Sequence, residues 1–285
     1  VVALAFATGL VRSFEIPTRQ AFVPELVARE DLANAIGLNS ALFNAVSYSA
    51  IVAALIAIRL APAPPRDSGG KSLLAEIWEG LVYVRGQPAL LALLGGLAVA
   101  AVAGMPYSVL LPSFASRQLG GGPDTFGLLQ AAVGLGALVG AFALAMRASV
   151  RGLERWVVTA GGVFGVLLIL FSRSSSLAVA LTLLVPMGLC FMILLAATNT
   201  LLQTLVSERL RGRVMSLHTT LFLGLFPLSG LAWGALADRF GEATVLAAGG
   251  SSVALATLAT GRAVLRHATP ALNAALASPP ATDGS

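Results

Sequence analysis

Charge is scarce in this chain. Asp, Glu, Lys and Arg make up 11% of its 285 residues, less than half of the about 25% found in soluble domains. Too few polar groups remain to coat a soluble surface. Reactive groups are scarcer still, with two histidines and one cysteine, Cys190, which sits inside an apolar run. One cysteine excludes a disulfide framework or a thiolate metal cage and reads as a small buried thiol. The histidines stand far apart without a cysteine or carboxylate at ligand spacing, no serine lies in a nucleophile elbow, and no Walker-type glycine loop occurs. The chain is therefore read as no enzyme and as holding no metal and no cofactor. Any energy for its work has to come from elsewhere, such as a proton gradient. It begins VVALAFATGL, without an initiator Met or a basic leader region. That is not a signal peptide, and it reads as a chain entered partway through an element.

What is abundant is apolar sequence, 57% of residues with a mean hydropathy of +0.87. A membrane-crossing helix needs about 20 largely apolar residues. Eight such runs are found, at 1–22, 34–60, 89–115, 125–146, 156–172, 176–203, 214–236 and 242–262, joined by turn-forming segments such as APAPPRDSGG, GGGPD and SRSSS. The fold class is all-α and polytopic, a multi-pass membrane protein, with the lipid bilayer as its first partner and a monomeric state expected. The net charge of +5 is no nucleic-acid signature, because the basic residues fall in short clusters between spans. Arg147, Arg151, Arg155, Arg209, Arg211, Arg213, Arg262 and Arg266 occupy one set of loops, and Arg117, Arg173 and Arg239 the alternate set. The positive-inside rule puts the richer set in the cytoplasm.

Residues 71–87, KSLLAEIWEGLVYVRGQ, place Leu73, Leu74, Ile77, Trp78, Leu81 and Val84 at helical spacing, ended by Pro88. They predict either an amphipathic helix in the membrane interface or a linker helix packed on the bundle. The tail from 266 onward is expected to fray outside the fold.

Two stretches resemble each other, LVAREDLANAIGLNSALF from Leu26 and LVSERLRGRVMSLHTTLF from Leu205. A parallel repeat of this kind describes a transporter with a substrate site between two halves. The stretch GLVRSFEIPTRQAFVPELVAREDLANAIGLNSALFN, Gly9–Asn44, resembles the helix 4 to helix 5 region of the major facilitator superfamily, and most of all its enterobactin-exporter-like efflux branch. Ser207–Gly241 resembles the region around helix 11, and VLLPSFASRQLGGGPDTFGLLQAAVGLGALVGA resembles helices 7 and 8. The resemblance implies a major facilitator fold: a remnant of the N-terminal half at 1–60, a linker at 61–88, the C-terminal six helices at 89–265 and a disordered tail at 266–285. It implies proton-coupled efflux of small amphipathic molecules, siderophore- or drug-like, by alternating access across a bacterial inner membrane. Against the family pattern, helices 1 to 3 are absent and the glycine-proline motif of helix 5 is missing. Only 29 residues, Leu32 to Leu60, stand where two spans need about 40. A single long helix is expected there. A transport-inactive remnant, or a membrane scaffold subunit, is the alternative.

Charges inside a membrane face a cavity or a partner. Arg12 and Glu15, three apart on one helical face, are the leading candidates for the substrate and proton path, with Glu15 able to carry a proton. Asn39, Asn44, Asn199 and Gln203 are amides expected to face the bundle, for helix-to-helix bonding or substrate contact. Met105, Pro106 and Tyr107 break an apolar run at mid-depth, as a flexible gate with a greasy pocket or as a packed kink. Gly127, Gly134, Gly136 and Gly140 read as a packing face that permits rocking. Arg209, Arg211 and Arg213 set orientation or pair with acids such as Glu208 to lock a state. Asp238 and Arg239 read as a helix-end pair or gate, and His218 as a satisfied core histidine.

Overall fold

The computed structural model describes residues 73–277 except Ala148, with side chains from Ile77 onward. These belong to one unit, Gly70–Ser285, distinct from Val1–Gly69. The expected spans at 1–22 and 34–60, the first half of the internal repeat, and Arg12, Glu15, Asn39 and Asn44 lie outside the described residues.

A short helix α1, Leu73–Arg85, precedes six long apolar helices. They are α2 (Pro88–Arg117), α3 (Pro123–Ala145), α4 (Leu153–Ser172), α5 (Leu177–Leu205), α6 (Glu208–Phe240) and α7 (Glu242–Ala277). Each is long and apolar enough to cross a membrane. Hydrocarbon offers a backbone no hydrogen-bond partners, so helices that satisfy their own amides are the form these runs take. The turns between them are short. A single residue, Gly241, joins α6 to α7 at φ 83°, a left-handed conformation in which a Cβ would be strained. Gly152 opens α4 in the same way at φ 79°.

The helices pack in a chain of contacts, α3 on α5, α5 on α4, α4 on α7 and α7 on α2, with α6 the least enclosed. Glycines set the closest approaches. Gly136 of α3 faces the backbone of Val185, and Gly188 of α5 faces the backbone of Val133. Gly165 of α4 and Gly250 of α7 meet in the same manner. Lipid and Leu side chains are equally apolar, so close backbone packing is what selects helix partners in a membrane. Of the four glycines expected to form one packing face, Gly136 and Gly140 do so. Gly127 and Gly134 are exposed with nothing near them, because they fall on the outer side of α3.

Three of the long helices are broken in one way. A π-helical stretch of five residues, Ala100–Gly104 in α2, Thr220–Gly224 in α6 and Val264–Ala268 in α7, lies two or three residues before a proline: Pro106, Pro227 and Pro270. Proline has no amide hydrogen, and its ring crowds the carbonyl four residues back. The helix widens by one residue per turn to relieve the clash. In α2, Met105 N–H donates to the Ala100 carbonyl at 2.8 Å, a step of five residues rather than four.

The tail differs from expectation. Residues 266–277 do not fray: α7 runs on to Ala277, Leu272 is 1% exposed, and the Thr269 hydroxyl donates to Glu154 Oε1 at 3.1 Å. A buried carboxylate at the start of α4 needs a donor, and among the described residues the extended α7 supplies it.

Candidate functional site

The break in α2 leaves a particular group without its helical partner. Pro106 cannot donate to the Val102 carbonyl. That carbonyl instead accepts the indole N–H of Trp233 on α6, at 2.6 Å. Two proline-broken helices are thus tied together, from the break in α2 to a residue six positions past Pro227 in α6.

Next to this tie runs a row of rings. Tyr107, directly after Pro106, meets Phe164 of α4 edge-on at 6.1 Å. Phe164 lies 5.7 Å from Phe191 of α5, and Phe191 6.0 Å from Phe222 of α6. The separations suit the ring quadrupoles. Gly104 makes room for Phe164, since a Cβ there would sit 2.8 Å from Phe164 Cε1. Phe191 and Phe222 each stand 14 residues from the α5–α6 turn, or about 21 Å along their helices, close to the middle of a bilayer. Tyr107 and Phe164 are fully buried, whereas Phe191 and Phe222 are half-open.

Toward the α5–α6 turn, Asn199 and Gln203 occupy successive turns of α5, and Gln203 Nε2 donates to Asn199 Oδ1 at 2.5 Å. Bonding from one helix to another was one of the two roles expected of them. Instead they satisfy each other on one helix face, as an i,i+4 spacing allows. Thr198 Oγ1 and His218 Nε2 are buried with no hydrogen-bond partner among the described residues. His218 is therefore in the core but not satisfied there. Met105 is half-buried and Tyr107 packs against Phe164, so this kink is filled by rings. A cavity of about 20 Å³ lies between Gly96, Leu97, Val157, Leu194, Thr257 and Thr260. That is room for about one water, and both threonine hydroxyls already donate to their own helix at 2.8 Å.

The two ends carry the charges. At the end holding the α2–α3 and α6–α7 turns, Arg117 lies 3.9 Å from Asp238 and 3.7 Å from the buried Glu242. Asp238 was expected to pair with Arg239. The structure puts Arg239 over the ring of Phe240 at 5.6 Å instead. At the basic end, Arg213 holds Glu79 of α1 at 2.6 Å, and Arg211 meets Glu208 at 3.9 Å on the surface. Arg209 is exposed on the first turn of α6. Arg147 folds over the ring of Trp156 at 4.6 Å and donates to the Arg151 carbonyl.

Sequence reasoning missed Trp233, Phe164, Phe191, Phe222 and Glu79. For Trp233 a signal existed, since a mid-span proline frees a carbonyl that some neighbouring donor must meet. The phenylalanines look like any other apolar residue in a span.

Three likenesses to known proteins are found. The model of the family described as "Transmembrane secretion effector" matches residues 40–281. The multidrug efflux pump Tap of Mycolicibacterium fortuitum is 30% identical over 215 residues, covering 74% of this chain and 52% of that protein. The chain thus spans about half the length of the curated relative it matches. A crystal structure of a bacterial homolog of the human lysosomal transporter Spinster, inward-facing and unoccupied, aligns over 91% of this chain and 74% of that one, at 17% identity and a TM-score of 0.32. Six long apolar helices, and a family match that runs through all of them, lead to one conclusion: this chain belongs to the transmembrane secretion effector family of the major facilitator superfamily.

Proposed function

We propose that this protein takes part in export of small amphipathic molecules, siderophore- or drug-like, across the bacterial inner membrane by alternating access, driven by the proton gradient. One observation carries the reading: two proline-broken helices, α2 and α6, are tied at the break in α2, near an aromatic row that is sealed at one end and half-open at the other. Broken helices bend at low cost, and aromatic faces accept apolar molecules of many shapes. The small cavity cannot hold such a molecule, since ligand sites run to about 300–1,000 Å³. Substrate would meet the half-open face at Phe191, Phe222, Asn199 and Gln203. The likeness to a protein named as a multidrug efflux pump supports the direction and the substrate class. Arg12 and Glu15 are the candidates for the proton path, and the basic loops face the cytoplasm.

The test is dye accumulation in an efflux-deficient bacterial host expressing the gene that encodes this chain. Cells should hold less of an amphipathic dye than controls, and a protonophore should erase the difference. Phe191→Ala and Phe222→Ala should each raise KM several-fold, while Leu258→Ala, on the outer face of α7, should change nothing. No protonophore-sensitive difference from controls would remove the transport reading and leave the inactive remnant.

A further inference from the structure

The helix α1 has two unlike sides. At 100° per residue, Ile77, Leu81, Arg85, Trp78 and Val82 fall within an arc of about 140°, and Glu79, Gly80, Tyr83 and Val84 fill the opposite arc. The second arc faces protein. Glu79 pairs with Arg213 at 2.6 Å, and a Cβ on Gly80 would rest 3.4 Å from both Arg213 Cβ and Leu217 Cδ1. Val84 is 4% exposed. The first arc faces outward, with Ile77 44%, Trp78 68%, Leu81 43% and Val82 54% exposed. This is the reverse of a surface helix in water, which turns its apolar side inward.

We infer that this outward arc is seated in the headgroup region of the lipid bilayer at the basic end of the bundle. Three observations select lipid as the occupant. Only Gly86 and Gln87 separate α1 from the first residue of α2, so its last turn lies within about 11 Å of the point where a spanning helix begins. The arc contains a tryptophan, an amphipathic ring favoured at membrane interfaces. It ends in Arg85, and the segment α1 packs on carries Arg209, Arg211 and Arg213. A stripe of apolar side chains edged by cations fits the anionic surface of a bilayer. With its other arc clamped to Arg213 and Leu217, α1 fixes the foot of α6 to the membrane plane. This inference does not depend on what the protein transports.

A nitroxide at Val82→Cys, in the full chain carrying Cys190→Ala, tests it in vesicles of phosphatidylcholine and phosphatidylglycerol. Oxygen should relax the label more than a water-soluble nickel chelate does, at a depth of about 5–10 Å. Relaxation by the chelate as strong as for a free label would place the arc in water and overturn the inference. Protection from both reagents would mean that protein covers it, with the same consequence. If that variant fails to insert, brominated phosphatidylcholines serve with the unaltered chain. Bromines high on the acyl chain should quench more than deep ones, and the excess should vanish in Trp78→Phe. Equal quenching in the two proteins would overturn the inference.

Discussion

Replacing Trp233 by Phe removes one indole N–H and keeps an aromatic ring. The lost bond is 2.6 Å long and ends on a carbonyl that Pro106 has already deprived of its helical donor. Hydrogen bonds between membrane helices are worth about 0.6 kcal/mol on average and up to about 1.7. An acceptor left without any partner costs about 1–3 kcal/mol. Trp233 is itself only half-buried, so lost ring contact adds little, and the expected total is about 1–2 kcal/mol. That is about a 5- to 30-fold fall in the folded-to-unfolded ratio. Unfolding of the purified chain by dodecyl sulfate in mixed micelles reads this directly. The decisive comparison is the cycle with Pro106→Ala. An alanine there supplies the amide hydrogen that proline lacks, so the Val102 carbonyl no longer needs the indole. In that background Trp233→Phe should cost less than about 0.5 kcal/mol, the scatter expected of uncoupled sites. An equal cost in both backgrounds would refute the reasoning, because the indole would then not be standing in for the missing amide.

Gly188→Ala and Gly136→Ala should each destabilise by about 1–3 kcal/mol, since a Cβ would press on the backbone of Val133 or Val185. Gly134→Ala, on the same helix but with open space around it, should be neutral or stabilising by up to about 1 kcal/mol; the same unfolding assay separates them. Ending the chain after His267 should cost about 2–3 kcal/mol and lower the melting temperature, because it removes Leu272 from the core and the Thr269 hydroxyl from Glu154. Glu79→Gln should weaken the hold of α1 on α6 by about 0.5–1 kcal/mol and speed hydrogen exchange along 73–85, an effect that salt diminishes in the parent. In transport, Glu15→Gln should abolish the response of efflux to a protonophore, and an unchanged response would take Glu15 out of the mechanism.

The sequence by itself determined that the described part of this chain is a set of membrane helices, with bounds close for α2 to α5 but short for α6 at both ends and for α7 at its C-terminal end. Hydropathy acts over one stretch of about 20 residues at a time, and a run such as Pro88–Arg117 or Leu177–Leu205 has to become a helix whatever surrounds it. Pro106 also announced the break in α2, because a missing amide hydrogen is a local fact, whereas the breaks before Pro227 and Pro270 went unread. Where charge and polarity gave out, local reading failed. The tail was expected to fray, yet residues 266–277 are helical, with Leu272 buried and the Thr269 hydroxyl on Glu154, more than a hundred residues earlier. Asp238 stood beside Arg239 in sequence, but the end of α2 delivered Arg117 to it instead. Which glycines would touch a neighbour, which rings would form a row and which donor would meet the Val102 carbonyl were all decided by how the helices pair. Pairing in lipid rests on shape and on a few directed polar contacts between distant residues, and neither is written in the composition of any single span.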